Sequence, residues 1–177
     1  MKLLLKILQS VLVVIACALI GVLRAQKYQN RCAVIGDMQI LARRLRLGSA
    51  LQGEPLSLLL EPFESQMAPP VSEVIAIFRG LLHANELLIE TAWERALTQV
   101  LSNGGKRYAL DEEDFSQILQ LGAFMGQRRQ AQQESLKILE DALGQRLTQA
   151  MIHKEKGAKL SVRIGFLSGV MLALCIL

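Results

Sequence analysis

The sequence has little proline and few aromatic side chains. Proline accounts for 4 of 177 residues and aromatic side chains for 5%, and every proline lies between residues 55 and 70. Because proline removes a backbone donor and blocks a helix interior, the chain on either side of that stretch is free to form long helices. Leu, Ala, Gln, Glu and Arg are abundant, and these residues favour helix. The composition predicts an all-α protein.

Cysteine and histidine are also scarce. The 3 cysteines, Cys17, Cys32 and Cys175, are odd in number and lack the spacing of metal ligands, which argues against a disulfide framework or a zinc site. The 2 histidines, His83 and His153, have no partner at a spacing useful for catalysis or metal binding. We therefore expect no metal ion, no cofactor and no enzymatic activity.

One acidic run, from Asp111 to Asp114, allows two interpretations. It is either the start of a helix, or a metal or acid–base site. Aspartate is a favoured N-cap residue, and carboxylates in a first turn interact well with the helix dipole. We favour the helix start, because it explains the run without any chemistry.

The net charge of +4 is modest. Much of the basic excess lies beside the apolar ends of the chain and not on a face with phosphate-contacting spacing. This distribution argues against a nucleic-acid partner and favours membrane lipids, whose headgroups attract basic residues that flank an apolar helix.

Residues 1–27 are predicted to form a transmembrane anchor. Residues 11–23 carry no charge, and the apolar stretch extends back to Leu3. At 1.5 Å per residue such a helix reaches across a hydrocarbon core of about 30 Å. A cleavable signal peptide has a similar outline, but Arg24 directly before Ala25 makes a poor cleavage site. We favour an uncleaved anchor.

Residues 160–177 form a second hydrophobic segment. From Ile164 onward it is apolar apart from Ser168. Counted from Leu160, the segment is just long enough to span a bilayer if the Arg163 side chain extends toward the interface. The alternative is a buried core helix. We predict a second membrane anchor.

Small residues recur along the second anchor at every fourth position. Such a stripe lets two helix backbones approach closely in lipid, where packing drives association. The first anchor has a shorter version that includes Gly21. We expect the two anchors to pack together, or with copies in neighbouring subunits of a homo-oligomer. The stripe consists of Gly157, Ser161, Gly165, Gly169 and Ala173.

The distribution of Lys and Arg predicts the orientation. Arg24, Lys27 and Arg31 follow the first anchor, and several basic residues between 154 and 163 precede the second. The positive-inside rule therefore places the intervening domain in the cytoplasm. Lys2 and Lys6, on the far side of the first anchor, oppose this assignment.

Residues 28–159 are predicted to form a helical bundle between the anchors. Apolar residues recur at steps of three and four, and turn-forming residues near positions 48–53, 69–70, 103–105 and 126 separate the helices. The pattern predicts an antiparallel bundle of about six helices, of which the first and last continue into the anchors. Residues predicted to face inward include Ile35, Met38, Phe78, Trp93, Ile118, Leu136 and Leu139.

Two clusters of arginine are candidate contacts for a partner or for lipid headgroups. Arg43, Arg44 and Arg46 lie within one helical turn, and Arg128 and Arg129 form the second cluster. Such clusters are usually solvated surfaces, but they also suit an acidic partner.

Several short motifs follow one another in a characteristic order. These are RAQKY (24–28), GEPL (53–56), TAWERAL (91–97), LDEED (110–114) and LQLG (119–122). Their order and spacing, between two terminal anchors, resembles the stage III sporulation protein AB family of endospore-forming bacteria. Gln133 falls where that family carries a glutamine. After Gly126 the family tends to carry an aspartate, whereas this chain has Gln127, so a contact made by that aspartate is expected to differ here.

The resemblance implies a structural role. The family's soluble domain is similar to the cytoplasmic domains of type II secretion F platform proteins, and the family belongs to the channel that links mother cell and forespore. A secretion-type ATPase, stage III sporulation protein AA, is the implied partner. The implied location is the mother-cell membrane around the forespore, with the central domain cytoplasmic.

Other functions remain open from the sequence. The chain is alternatively a scaffold or adaptor of another secretion or pilus-like assembly, although F-type subunits usually carry two such domains. A membrane enzyme would need converging polar groups, and the sequence offers no convincing set.

Overall fold

The structure is a computed structural model that consists of helices. It describes residues 2–51, 56–84, 87–102 and 108–176, with the backbone alone at residues 2–8, 49–51, 102, 129 and 175–176. No strand occurs in these ranges, which confirms the all-α prediction of about six helices. The helices are α1 (Lys2–Leu51), α2 (Leu56–Gln66), α3 (Val71–Ala84), α4 (Ile89–Leu97), α5 (Glu112–Met125) and α6 (Arg129–Ile176), and the π-helical turn Thr98–Ser102 follows α4.

The helix boundaries follow the breaks seen in the sequence. Pro62 lies inside α2 without ending it, and the cis peptide bond between Pro69 and Pro70 precedes α3. The last helix continues without interruption through Gly157 toward the chain terminus, as expected. The break predicted at residues 103–105 lies outside the described residues. Helix α1 ends at Leu51, inside the break predicted at residues 48–53, of which residues 52 and 53 lie outside the described residues.

The chain divides into two compact units. The terminal unit contains Met1–Cys32 and Gln149–Leu177, and the central unit contains Ala33–Thr148. Helices α1 and α6 each contribute residues to both units. The anchors predicted at residues 1–27 and 160–177 belong to the terminal unit, and those domain boundaries stay a prediction.

Trp93 is the centre of the central unit. Helix α2 packs on α3, α3 on α4, and α4 on α5. The Trp93 ring meets Phe78 edge-on, with ring centroids 5.1 Å apart, and its Nε1 donates a hydrogen bond to the Ile118 carbonyl at 2.9 Å. Gly122 leaves room for the indole, since a Cβ at Gly122 would lie 2.6 Å from Trp93 Cδ1. The polar end of a large buried side chain is therefore satisfied, and its bulk is matched by a glycine.

The remaining core residues follow the predicted periodicity. In each helix of the central unit, the apolar residues at steps of three and four are removed from water, as a helix with one buried stripe requires. Of the inward positions predicted from the sequence, the seven named above are confirmed. Ile35, Met38, Phe78, Trp93, Ile118, Leu136 and Leu139 are all buried.

Helix α5 begins with a capping box. Asp111 accepts a hydrogen bond from the Asp114 backbone N–H at 2.7 Å, and Asp114 Oδ2 accepts one from the Asp111 N–H at 3.2 Å. This confirms that the acidic run starts a helix.

The same acidic residues also bind Arg146 of α6. Arg146 contacts Asp114 at 2.9 Å, Glu113 at 2.8 Å and Asp111 at 2.5 Å. Burial lowers the pKa of the Arg146 guanidinium, but the hydrogen bonds and negative charges of Asp114 and Asp111 outweigh burial and raise that pKa above its ordinary value. The Asp114 side chain is fully buried, so Arg146 supplies the charge that this carboxylate needs.

We predict opposite stability effects for alanine at two glycines of the central unit. Gly122→Ala should lower the free energy of unfolding by about 1–3 kcal/mol, because its Cβ would overlap Trp93. Gly80→Ala should raise the same free energy by about 0.5–1 kcal/mol, because Gly80 lies on an exposed helix face with nothing within 4 Å of an added Cβ. Thermal unfolding of the full chain in mild detergent, followed by circular dichroism, measures both. Equal melting temperatures for the two variants would contradict the packing described here.

We also predict that Arg146→Met destabilises the central unit by about 2–4 kcal/mol, because it leaves the buried Asp114 carboxylate without its cation. Denaturant unfolding followed by Trp93 fluorescence measures the change, since Trp93 is the single tryptophan and lies in this unit. The control is Arg128→Met, at an exposed arginine, which should change stability by less than about 0.5 kcal/mol. The prediction is wrong if both variants unfold at the same denaturant concentration.

Candidate functional site

The terminal unit contains the two apolar helical segments. Apolar stretches occur in α1 within Gln9–Gly48, with a mean hydropathy of 1.8, and in α6 within Gln130–Leu174, with a mean hydropathy of 1.4. By length and composition, both helices are able to cross a membrane.

The two helices approach each other most closely at Gly21 and Gly165. A Cβ on Gly21 would lie 2.8 Å from the Ser161 carbonyl oxygen, and one on Gly165 would lie 2.8 Å from the Cys17 carbonyl oxygen and 3.1 Å from Gly21 Cα. The neighbouring atoms belong to the backbone, so they are unable to rotate away. Only glycine fits at these two positions without separating the helices.

The other small residues extend this contact in both directions. A Cβ on Gly169 would meet Val14 Cα at 3.0 Å, and one on Gly157 would meet the Tyr28 ring at 2.9 Å. Beyond Gly169, the buried Ala173 accepts a hydrogen bond through its carbonyl oxygen from Ser10 Oγ at 3.5 Å. All six residues singled out for helix packing therefore lie along the contact between α1 and α6 in this unit.

The outward faces of the same two segments are apolar and uncovered. Leu12 is 66% exposed, Leu167 65% and Met171 74%. A pair of helices that meets through glycines and presents leucines outward is the arrangement expected of helices surrounded by lipid, where close packing and not burial of apolar surface holds the pair.

Basic side chains collect where the two segments leave the apolar region. Arg24 and Lys27 on α1 and Lys156 and Arg163 on α6 are exposed. Cys32 lies just beyond them, and burial raises the pKa of its thiol against the opposing influence of Lys154 and Arg31. This cysteine is a buried apolar group, whereas the exposed Arg24, Lys27 and Lys156 are accessible to anionic headgroups.

The arginine cluster of α1 does not form one uniform surface. Arg46 is largely covered and bonded to Glu140 of α6 at 2.9 Å, so it joins two helices of the central unit. Arg43 is exposed and lies 3.8 Å from the same carboxylate. Arg44 is exposed and has no ion pair in the part of the chain that the structure describes. The three arginines therefore have different roles, although their sequence context is the same.

The other candidate contact residues are Arg128, Arg129 and Gln133. Arg128 is exposed, and the side chain of Arg129 lies outside the described residues. Gln133 is half-buried and lines a groove of about 320 Å³ together with Arg46, Glu134 and Lys137. This groove has hydrogen-bonding groups of both charges.

A second groove lies between the end of α1 and α2. It has a volume of about 410 Å³ and is lined by side chains that include Arg44, Leu47, Leu58, Leu59, Pro62 and Phe63. The sequence did not indicate this groove, because it arises where a helix end and a separate short helix meet.

No arrangement able to hold a metal ion was found within the described ranges. His83 and His153 are both exposed. In the acidic run at the start of α5, the Asp111 and Asp114 carboxylates accept the capping hydrogen bonds, and Asp114 also pairs with Arg146. Arg146 was not predicted, because it is 32 residues from Asp114 and no local pattern connects the two.

A protein-family model for stage III sporulation protein AB matches residues 6–177. The chain belongs to the stage III sporulation protein AB family. A solved structure named as stage III sporulation protein AB is similar to this chain, with a TM-score of 0.64 and 22% sequence identity, over 72% of this chain and 98% of that chain. No curated protein matches the chain.

The family resemblance expected from the order of motifs is confirmed. Membership of the stage III sporulation protein AB family gives the chain a sporulation-related role. The similarity to the solved structure concerns the fold, and it agrees with the all-helical architecture described above.

We predict that the contact at Gly165 holds α1 and α6 of a single chain together. A Cβ at Gly169 would lie 3.1 Å from Cys17 Cβ, so Gly169→Cys should form an intrachain disulfide with Cys17 under mild oxidation in membranes, once Cys32 and Cys175 are replaced by Ala. Adding Gly165→Leu should abolish this disulfide, because the larger side chain meets backbone atoms. Mass spectrometry of the linked peptides measures its yield.

The control for the size of the new side chain is Ser168→Leu, at an exposed position one helical turn from Gly165. This variant should leave the disulfide intact. A disulfide that forms only between chains would show instead that the glycines pair neighbouring subunits.

Proposed function

We propose that the chain is a non-enzymatic membrane platform in the sporulation channel complex between mother cell and forespore, where it docks a secretion-type ATPase. The observation that carries the proposal is the match to the stage III sporulation protein AB family over residues 6–177, in a chain whose two terminal segments form a glycine-packed apolar pair. In this scaffold role, the chain holds a helical bundle beside a membrane, and the surface of the bundle binds partners.

The exposed apolar side chains of the terminal unit support a membrane location. Leu12, Leu19 and Leu23 on α1, and Leu167 and Leu172 on α6, are each at least half exposed. An apolar surface of this extent is unfavourable in water and is typical of a region that meets lipid or another protein. The proposed spanning segments are residues 1–27 and 160–177, with residues 28–159 as the domain between them.

The basic residues support an orientation. The exposed Arg24, Lys27, Lys156, Lys159 and Arg163 belong to the parts of α1 and α6 that lie toward the middle of the chain. Under the positive-inside rule, this side of the membrane is the cytoplasmic one. In a sporulating cell, the proposed location is the mother-cell membrane around the forespore, with the central domain in the mother-cell cytoplasm.

The surface of the central unit supports a docking role. Within the described ranges, Arg146 and Arg46 hold helices together, whereas Arg43 and Arg128 are exposed. Arg43, Arg128 and Gln133 are the residues we propose for contact with the ATPase or with lipid headgroups, and Arg129 belongs to the same sequence cluster.

The membrane proposal predicts different outcomes for two matched substitutions. Leu167 in the terminal unit is 65% exposed and Ile138 in the central unit is 64% exposed. Leu167→Arg should sharply reduce the amount of protein that resists alkaline extraction from membranes, because an arginine inside the hydrocarbon costs about 2.5–3.5 kcal/mol on insertion scales. Ile138→Arg should leave extraction unchanged. Extraction of both variants to the same extent would contradict the proposal.

The same preparation tests the docking role. The full chain, solubilised in detergent from sporulating cells, should retain a secretion-type ATPase through affinity purification, as identified by mass spectrometry. Recovery of the chain from those cells without any such ATPase, under conditions that preserve other membrane complexes, would count against docking while leaving membrane anchoring intact.

A further inference from the structure

The groove between α1 and α2 has the features of an unoccupied binding surface. Leu58 is 55% exposed and Leu47 is 42% exposed, and both line a cavity of about 410 Å³ whose other walls include Leu59 and Phe63. Gly48 lies at the same place, and the space over its Cα is taken by the Leu59 side chain. The groove therefore presents apolar side chains that are reachable from solvent, with the polar side chains of Arg44 and Gln66 beside them.

Arg44 provides an uncompensated positive charge on this groove. Arg43 lies 3.8 Å from Glu140 and Arg46 lies 2.9 Å from it, whereas Arg44 is exposed and has no ionic partner among the residues described. The carboxylates of Glu61 and Glu64, on the neighbouring α2, are held by Arg79. The surface therefore suits an apolar side chain that is accompanied by a carboxylate.

The same unit carries such a pair at the start of α4. Leu88 is 79% exposed, more than any other large apolar side chain among those described, and Glu90 follows it in the first turn of the helix. Glu90 is exposed and forms no ion pair within the ranges that the structure covers. The apolar residue and the carboxylate are thus adjacent, and both lack a partner.

The backbone presents Leu88 rigidly. Leu88 is the N-cap residue of α4, with φ −63° and ψ 148°, and its carbonyl oxygen accepts a hydrogen bond from the Ala92 N–H at 2.9 Å. Helix α4 is itself fixed by the buried Trp93 and Leu97. A side chain held in place by a packed helix loses little freedom when it binds, which favours its use as an anchor in an interface.

We propose that a second copy of this chain inserts Leu88 into the groove and pairs its Glu90 with Arg44. The groove and the inserted residue lie on different elements of one protomer, so the contact either closes reciprocally into a two-fold dimer or repeats head to tail into a ring or a row of subunits. This self-assembly goes beyond the proposed function, because it requires neither an ATPase nor contact between membrane helices.

The test measures the oligomeric state of the full chain in detergent micelles by native mass spectrometry over a range of protein concentrations. Arg44→Glu, Glu90→Arg and Leu88→Ser should each weaken self-association by roughly tenfold or more, since each removes an anchor or brings like charges together. The double variant Arg44→Glu/Glu90→Arg should recover association, because it restores the ion pair with its signs exchanged.

Two matched controls separate this contact from general surface effects. Ile138→Ser removes an apolar side chain that is 64% exposed elsewhere in the central unit. Glu73→Arg reverses an exposed glutamate in the first turn of α3, as Glu90 is an exposed glutamate in the first turn of α4. Both controls should associate like the parent chain, and Trp93 fluorescence verifies that every variant keeps its fold.

Three outcomes would overturn the inference. The first is a chain that stays monomeric at all concentrations. The second is association that Leu88→Ser and Arg44→Glu leave unchanged. The third is a charge-exchanged double variant that associates no better than the single variants. If Arg44→Glu spares self-association but abolishes retention of the ATPase, the groove receives that protein instead, and the inference also fails. Membrane extraction of Leu167→Arg tests the proposed function separately.

Discussion

In the terminal unit, α1 and α6 meet backbone to backbone. At Gly21 and Gly165 the space that a side chain would need is occupied by carbonyl oxygens and Cα atoms of the opposite helix. A leucine-rich outer surface provides no driving force for pairing in lipid, because lipid tails are as apolar as leucine. The close contact therefore brings the two distant ends of the sequence together. Helices α2 to α5 lie between α1 and α6 in the sequence.

The central unit is held by a different kind of interaction. Its core is an ordinary apolar one around Trp93, but α5 is attached to α6 through charges, with Arg146 reaching three carboxylates at the helix start. Glu140 and Arg46 connect α6 to α1 in the same way. Ion pairs at partly covered positions contribute geometric specificity because an unpaired partner is costly. The unit thus combines apolar packing inside with directional contacts between its outer helices.

The sequence predicted the features that repeat along a helix. Steps of three and four identified Ile35, Phe78 and Leu139 as buried, and four-residue spacing identified the glycines that contact α1. Features that depend on two distant segments were not predictable. Arg43, Arg44 and Arg46 look alike in sequence, and their roles differ because Glu140, far along the chain, lies opposite only two of them. The contact of Arg146 with Asp114 and the groove beside α2 were not predictable either, because each depends on how two separate elements pack.

Asp111 makes both kinds of contact, a helix cap and a bond to Arg146, from an exposed position, and Asp114 makes them while fully buried. Its carboxylate closes the first turn of α5 and also neutralises Arg146, while its side chain is completely shielded from water. A neutral replacement that still capped the helix would remove the one buried carboxylate among the three around Arg146, and a replacement that kept only the charge would loosen the turn. Loss of Asp114 therefore weakens two structures at once, the first turn of α5 and the attachment of that turn to α6.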